Sequence, residues 1–303
     1  MFTTMKVLIT GGSGLLGKAI TKKLIAQKIE VVHLTRTKNS ASGVKTYEWD
    51  WENNTIDEAC FIGVTHIIHL AGAGIAENPW TMKRKRTIVK SRVLTARLIH
   101  QKITQLNLPI KAFISASGIG YYGAITNQKI YTEQDTPHTD FIAQCCIQWE
   151  EAADLLNERT RVVKLRLGII LDKNEGALAK ILSIIKKGIG APIASGKQYM
   201  PWIHIEDTVD LFIYCLQNEN LNGVYNAVAE QHVTNKKLTK SLASANNKRI
   251  WLPNVPSFIM KGIYGELADI LIHGVRVSNK KITDTGFKFK FKSIEKSFQN
   301  IYS

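Results

Sequence analysis

The sequence predicts an α/β fold, a parallel sheet covered by helices on both faces, and two observations carry that prediction. Strand-like apolar runs alternate with amphipathic helical stretches through the first two-thirds of the 303 residues, the pattern of successive parallel crossovers. The first such unit, Met5-Lys6-Val7-Leu8-Ile9-Thr10-Gly11-Gly12-Ser13-Gly14-Leu15-Leu16-Gly17, sets glycines spaced G-x-x-G-x-x-G directly between strand and helix. Gly11 permits a tight turn out of the strand, Gly14 holds no side chain against a pyrophosphate, and Gly17 lets the helix lie close on the sheet. The helix N-terminus then aims its unpaired N–H groups at the phosphates. A dinucleotide site is the expectation, with Gly11, Ser13, Gly14, Leu15, Leu16 and Gly17 around the phosphates.

Residues 7–10, 30–34, 44–48, 66–70, 112–115 and 162–167 are the expected strands, and 17–27, 83–105 and 141–157 the main helices. Ligands of such a sheet bind at the carboxyl ends of its strands. After Leu171 the pattern loosens. A helix at 177–187, a Gly/Pro-rich loop at 188–196 and the segment 252–288 suggest a smaller lobe, while 201–205 and 223–227 look like elements returning to the sheet. The expected division is 5–172 with 201–229 as a nucleotide-binding unit, and 173–200 with 230–303 as a lobe covering substrate in the cleft between them.

An apolar content of 45% supports a large core. No stretch approaches the ~20 apolar residues that span a bilayer, and Met1-Phe2-Thr3-Thr4 leads into the first strand without an apolar signal region. A cytoplasmic protein with no membrane partner is expected, so the sequon Asn53-Asn54-Thr55 should be inert. Cys60, Cys145, Cys146 and Cys215 show no metal-ligand spacing and are expected as reduced thiols, with no metal site. The net charge of +15 and pI near 9.6 invite a nucleic-acid reading. Yet the lysines are scattered in short pairs, and the densest cluster, Lys83-Arg84-Lys85-Arg86, opens a helix. A small-molecule substrate is the expected partner, nucleic acid is not, and either a monomer or a homodimer is compatible.

Four motifs resemble the extended short-chain dehydrogenase/reductase superfamily, of the NAD-dependent epimerase/dehydratase type: the glycine run, His69-Leu70-Ala71-Gly72, Phe113-Ile114-Ser115-Ala116-Ser117 followed by Tyr122-Gly123, and Trp202-Ile203-His204-Ile205-Glu206-Asp207. The resemblance implies the Rossmann doubly wound sheet with a smaller C-terminal substrate lobe. More narrowly, Ala76, Trp80, Arg84-Lys85, Ser91-Arg92, Gly120-Tyr121-Tyr122-Gly123, Gly176-Ala177-Leu178-Ala179-Lys180 and Ser195-Gly196-Lys197-Gln198 are similar to an atypical branch known as epimerase-family proteins or nucleoside-diphosphate-sugar epimerases. The likeness continues through Gly274-Val275-Arg276-Val277 and Gly286-Phe287. These motifs are specific for fold and branch, and much less so for a reaction.

An NAD site places a carboxylate at the end of the second strand to accept the ribose 2′-hydroxyl. Here Val31-Val32-His33-Leu34 runs into Thr35-Arg36-Thr37-Lys38, which offers a guanidinium and an ammonium in its place. Arg36 can grip a 2′-phosphate with its planar fork, so NADP(H) is expected over NAD(H). The resemblance implies that Leu70, Ala71 and Gly72 let the backbone approach the nicotinamide-side ribose. It places Ser91 where many relatives carry an asparagine supporting the catalytic lysine. Asp50 fits the position that holds the adenine amino group, with a solvated loop aspartate as the alternative. Arg166 joins these cofactor candidates; with Lys197 and Gln198 it could also bind an anionic group of a substrate.

Relatives usually carry a Tyr-x-x-x-Lys pair on one helix face, in which the lysine charge makes the phenol a usable acid or base. None of the nine tyrosines here has a lysine four residues later. The expected helix offers Phe141 and Cys145 instead. Ser117 and Tyr122 stand as catalytic candidates, at the end of the fifth predicted strand and in the Tyr-Gly position. Cys145 and Cys146 fit better as small core residues, Glu150 and Glu151 as solvated face residues, and Asp207 as the cap of the helix after His204. His138 completes the polar set, and Trp80 either covers the pocket or anchors in the core. Two functions follow: an NADP(H)-dependent oxidoreductase or epimerase on a small polar substrate, or a non-catalytic NADP(H)-binding regulatory or redox-sensing protein.

Overall fold

The computed structural model describes residues 5–37 and 43–303. In chain order come β1 (Lys6–Thr10), α1 (Leu15–Ala26), β2 (Glu30–Thr35), β3 (Lys45–Asp50), β4 (Thr55–Ile56), β5 (His66–His69), α2 (Met82–Gln105), β6 (Ala112–Gly118), β7 (Ile130–Tyr131), α3 (Phe141–Asp154), β8 (Arg161–Leu167) and β9 (Ile169–Leu171). Then follow α4 (Gly176–Lys186), β10 (Trp202–His204), α5 (Ile205–Gln217), β11 (Gly223–Ala227), α6 (Asn235–Ala245), α7 (Ser257–Tyr264), α8 (Asp269–Ile272), β12 (Arg276–Val277), α9 (Lys280–Asp284) and α10 (Ile294–Tyr302).

One sheet of eight strands runs β11-β8-β6-β5-β1-β2-β3-β4. Its neighbours are parallel except for the β3–β4 hairpin. Alternation of side chains along β1 divides the core in two. Val7 and Ile9 pack with Ile20 and Leu24 of α1 and Phe212 of α5, while Leu8 packs with Ile67, Leu98 and Ile99. The chain starts at β1, moves outward through β2 and β3, then crosses to β5 on the other side. That reversal opens a crevice at the carboxyl ends of β1 and β5, the place where doubly wound sheets bind ligands.

The six expected strands and the main helices form within a few residues of their sequence limits. Residues 223–227 join the sheet edge beside β8 as expected. The expectation for 201–205 is corrected: β10 pairs with β9 in a separate two-stranded sheet. Gly168 is the reason. Its N–H still bonds Ala227, but the N–H of Ile169 turns to Pro201, and a Cβ at Gly168 would fall 2.8 Å from the Pro201 carbonyl oxygen. A further core gathers Leu178 and Leu182, Leu238 and Leu242, and Phe298 around Trp202. All four cysteines are buried and unpaired, in keeping with reduced thiols. Among the described residues no helix is long and apolar enough to cross a membrane.

Candidate functional site

β1 delivers the chain to Gly11 at φ +69°, where a Cβ would lie 3.0 Å from the Leu70 carbonyl. Only glycine suits both the left-handed turn and that approach. Gly17 meets a stricter demand, since its Cβ would fall 2.3 Å from the Gly11 oxygen and 2.6 Å from the Gly12 Cα. The glycine therefore brings α1 against the turn itself, not only against the sheet. Thr81 and Asp140 cap α2 and α3 with side-chain oxygens, whereas Gly14 caps α1 with none and its first turn holds no acidic residue. The first N–H groups of α1 are thus left for an anion. Ser13 and Gly14 are exposed, Leu15 is half-buried and Leu16 is buried beside them.

His33 was not anticipated at this turn. A Cβ on Gly12 would strike its ring at 2.6 Å, so the imidazole is the floor of the glycine loop. Its Nε2 lies 2.8 Å from the Thr21 hydroxyl, which donates to the Gly17 carbonyl. The Nε2 proton therefore points at Thr21. Burial pushes the His33 pKa down. Arg36 is exposed just past β2; Lys38 lies outside the described residues. Asp50 is exposed and accepts from the Glu52 N–H, the Asn53 N–H and the Asn53 amide. The Asn53 side chain and backbone hold its carboxyl below the usual range, so it organises its own turn.

The loop after β5 is held by a chain of hydrogen bonds. The Thr10 hydroxyl accepts from the N–H groups of Leu70 and Ala71, both at 3.1 Å, and its own proton remains for His69 Nδ1 at 2.9 Å. His69 Nε2 then donates to Thr95, whose proton goes to the Ser91 carbonyl. A single neutral tautomer satisfies every partner, and burial pushes the His69 pKa down to about 4. Ser91 accepts from the Ala73 N–H at 2.9 Å. Arg92, next along α2, is 6% exposed. Its Nη1 donates to the carbonyls of Ala73 and Ile88, and its guanidinium lies over the Trp149 ring, 4.9 Å from the centroid. The sequence carried a signal for it, since Ile88, Arg92, Thr95 and Ile99 share one buried helical stripe where a charge is out of place.

Beyond β6, Ser117 and Tyr122 belong to one buried network. Ser117 donates to Glu150 Oε1 at 2.7 Å. Arg166 grips the same carboxylate with Nε and Nη2 at 2.8 and 2.9 Å, and its Nη1 donates to Tyr122 OH at 3.0 Å. Tyr122 donates in turn to Asn226 Oδ1 at 2.7 Å. Burial pushes the Tyr122 phenol up to about 12, against the pull of Arg166. Glu150 corrects an expectation: it is 7% exposed, not a solvated face residue, because its helix turns that side onto the sheet. Glu151 is exposed. Gln198 is also corrected as an anion ligand, since its amide braces the carbonyls of Ile193 and Leu271 inside the fold; Lys197 is exposed. His204 caps α5 by accepting from the Glu206 N–H. Asp207 instead accepts from the N–H groups of Lys290 and Phe291, tying the C-terminal segment to α5.

A cleft of about 280 Å³ opens beside these elements, at the small end of ligand pockets. Trp80, Phe141, His138, Asp140, Glu266 and His273 are among its walls. Trp80 is both anchor and wall: its Nε1 donates to the Ile75 carbonyl and its ring meets Phe141 edge-on at 4.9 Å. Lys85 pairs with Glu266 and Arg84 with Glu77, which gives the basic cluster a local role. Asp140 Oδ2 lies 3.0 Å from His138 Nδ1. The Asp140 N–H reaches the same nitrogen at 3.3 Å, so Nδ1 meets both a donor and an acceptor on that residue.

A family model described as the NAD dependent epimerase/dehydratase family matches residues 7–227. The chain belongs to that family. A second model, described as a domain of unknown function, matches residues 255–301. The mouse epimerase family protein SDR39U1 is 30% identical over 301 residues, covering 98% of this chain and 99% of the mouse protein. The Arabidopsis thaliana SDR39U1 homolog, named as chloroplastic, is 30% identical over 311 residues, covering 98% of this chain and 86% of its own. Among solved structures, human SDR39U1 isoform 2 with NADPH superposes with a TM-score of 0.89 at 28% identity, over 98% of this chain and 99% of the human one. Family membership and the doubly wound sheet account for the glycine turn together, because the crossover that builds the sheet also aims α1 at the crevice.

Proposed function

We propose that this protein is an NADP(H)-dependent oxidoreductase or epimerase acting on a small polar substrate. The observation that carries this reading is the uncapped N-terminus of α1 at the β1–β5 crevice, with Arg36 one strand away. That arrangement suits a pyrophosphate and a 2′-phosphate, and a close relative in structure binds NADPH. When bound, the nicotinamide gives or takes a hydride. Gly11, Ser13, Gly14, Leu15, Leu16 and Gly17 hold the pyrophosphate, Arg36 the 2′-phosphate and Asp50 the adenine side. Leu70, Ala71, Gly72 and Ser91 set the ribose of the other half.

Ser117 and Tyr122 act in this reading by orientation, since their protons are already committed to Glu150 and Asn226. Arg166 holds them rather than meeting the cofactor directly. His138, turned by Asp140 beside Phe141, exchanges the proton with substrate in the cleft. Residues 173–200 and 230–303 form the lobe that covers substrate, and 5–172 with 201–229 the cofactor unit, in a cytoplasmic monomer or homodimer.

Calorimetric titration with NADPH and NADH tests the cofactor, and equal or tighter NADH binding overturns NADP(H). Following NADPH absorbance against aldehydes, ketones and nucleotide sugars tests the chemistry, with His138→Gln as the variant expected to lose it. Tight binding with no oxidation by any substrate favours the second reading, a regulatory or redox-sensing NADP(H) protein. Phe141 and Cys145, standing where the resemblance to the short-chain dehydrogenase/reductase superfamily implies a tyrosine and its lysine, are the observation behind it.

A further inference from the structure

Arg92 is a charged side chain on the buried stripe of α2. It is 6% exposed, and among the described residues it has no ion-pair partner. Its Nε is buried without a hydrogen-bond partner. Burying a guanidinium that way is costly unless something else meets it. Its two carbonyl partners and the Trp149 face compensate only in part.

The position of the charge says what could meet it. A Cβ on Gly72 would come within 2.9 Å of the guanidinium carbon, so Arg92 lies directly beneath the loop that closes β5. That loop borders the crevice on the side away from Arg36, because β2 and β5 flank β1. A dinucleotide whose phosphates sit at α1 and whose adenosine half runs toward β2 must lay its other half toward β5. Cys145, on the facing helix, puts a small apolar residue beside the same guanidinium, and Arg92 pulls its thiol pKa down against the burial that raises it.

On the dinucleotide reading above, we infer that Arg92 is the cation that holds the nicotinamide half of the cofactor. Its guanidinium donates to the ribose hydroxyls or the carboxamide oxygen of that half. Gly72 is small because a side chain there would fill the place of the guanidinium. The chain thereby supplies from α2 a charge that its α3 lacks.

Calorimetry of the full chain separates the two halves of the ligand. The probes are NADPH and adenosine 2′,5′-bisphosphate, which keeps the adenine and 2′-phosphate but lacks the nicotinamide half. Arg92→Met should weaken NADPH about tenfold or more, the loss of charge-assisted hydrogen bonds, while leaving the bisphosphate unchanged. Arg92→Lys should recover part of the loss. NADPH binding by Arg92→Met equal to the parent, or equal losses for both probes, overturns the inference. A parent chain that binds neither probe overturns the dinucleotide reading itself and this inference with it. If near-UV circular dichroism shows that Arg92→Met does not fold, Arg92→Gln and Arg92→Lys carry the same comparison. Loss confined to NADPH then supports the inference, and no loss or equal loss overturns it.

Discussion

Arg166 and Glu150 form a two-pronged ion pair inside the protein, Nε to Oε1 at 2.8 Å and Nη2 to Oε2 at 2.9 Å. The pair joins the end of β8 to the middle of α3, and through Ser117, Tyr122 and Asn226 it reaches β6 and β11. Removing one partner leaves the other charge buried and alone. Glu150→Leu or Arg166→Met should each cost about 3–5 kcal/mol in urea unfolding, while the two combined should cost clearly less than the two single losses added. Additive losses would mean that the two side chains act independently.

The glycines of the turn should separate stability from binding. Gly17→Ala forces a Cβ onto the Gly11 oxygen, so it should cost about 1–3 kcal/mol and also weaken NADPH. At Gly14 the nearest atom to a Cβ is 3.4 Å away. Gly14→Ala should keep the parent melting temperature and weaken NADPH alone, by crowding the phosphates. Thermal melts and titrations on both variants check the contrast, and equal melting temperatures for the two variants would refute it.

Arg36 is exposed, so its replacement touches ligand and little else. Arg36→Ala should leave stability within about 0.5 kcal/mol while NADPH affinity falls roughly tenfold or more and NADH affinity stays put. Parallel loss for both cofactors would remove the 2′-phosphate from its role.

His69 makes stability depend on pH in a defined direction. Its folded pKa is depressed to about 4 from 6.5, so between those values the unfolded chain binds the extra proton. Stability from this group is fully present above pH 6.5 and is lost as pH falls toward 4, on the order of 3 kcal/mol in all. His66 is pushed the same way, also to about 4, by burial and then by Arg161 and Lys111. Urea midpoints from pH 7.5 to 4.5 should therefore fall. The His69 imidazole should stay neutral by NMR through pH 5.5, and protonation near 6.5 in the folded chain would contradict the Thr10–His69–Thr95 chain of bonds.

The sheet was legible because its strands, β4 aside, run for four residues or more and its helices keep a sustained 3.6-residue period. β4, β7, β9 and β12, with two or three residues each, are too short to show any period and were missed. The redirection at Gly168 depends on Pro201, thirty-three positions away, and no local pattern announces it. Among the site residues, those whose role is backbone conformation or close approach were visible, as at Gly11 and Gly17. Those whose role comes from burial were misjudged. Glu150 sits on an amphipathic helix beside Glu151, and only the packing of α3 on the sheet decides which of the two carboxylates goes inside.

By itself the sequence determined that a strand, a glycine turn and a helix would follow one another, because glycine spacing, strand period and helix period act over a few residues. It also determined that Arg36 follows β2 with no acidic residue next to it in the chain. Only the tertiary structure decided that Arg166 would close on Glu150, that Thr10, His69 and Thr95 would fix the loop after β5, and that Arg92 would lie beneath Gly72 with no ion-pair partner among the described residues. Charge and hydrogen-bond roles are set by which groups lose their water together, and that is settled by packing between distant segments.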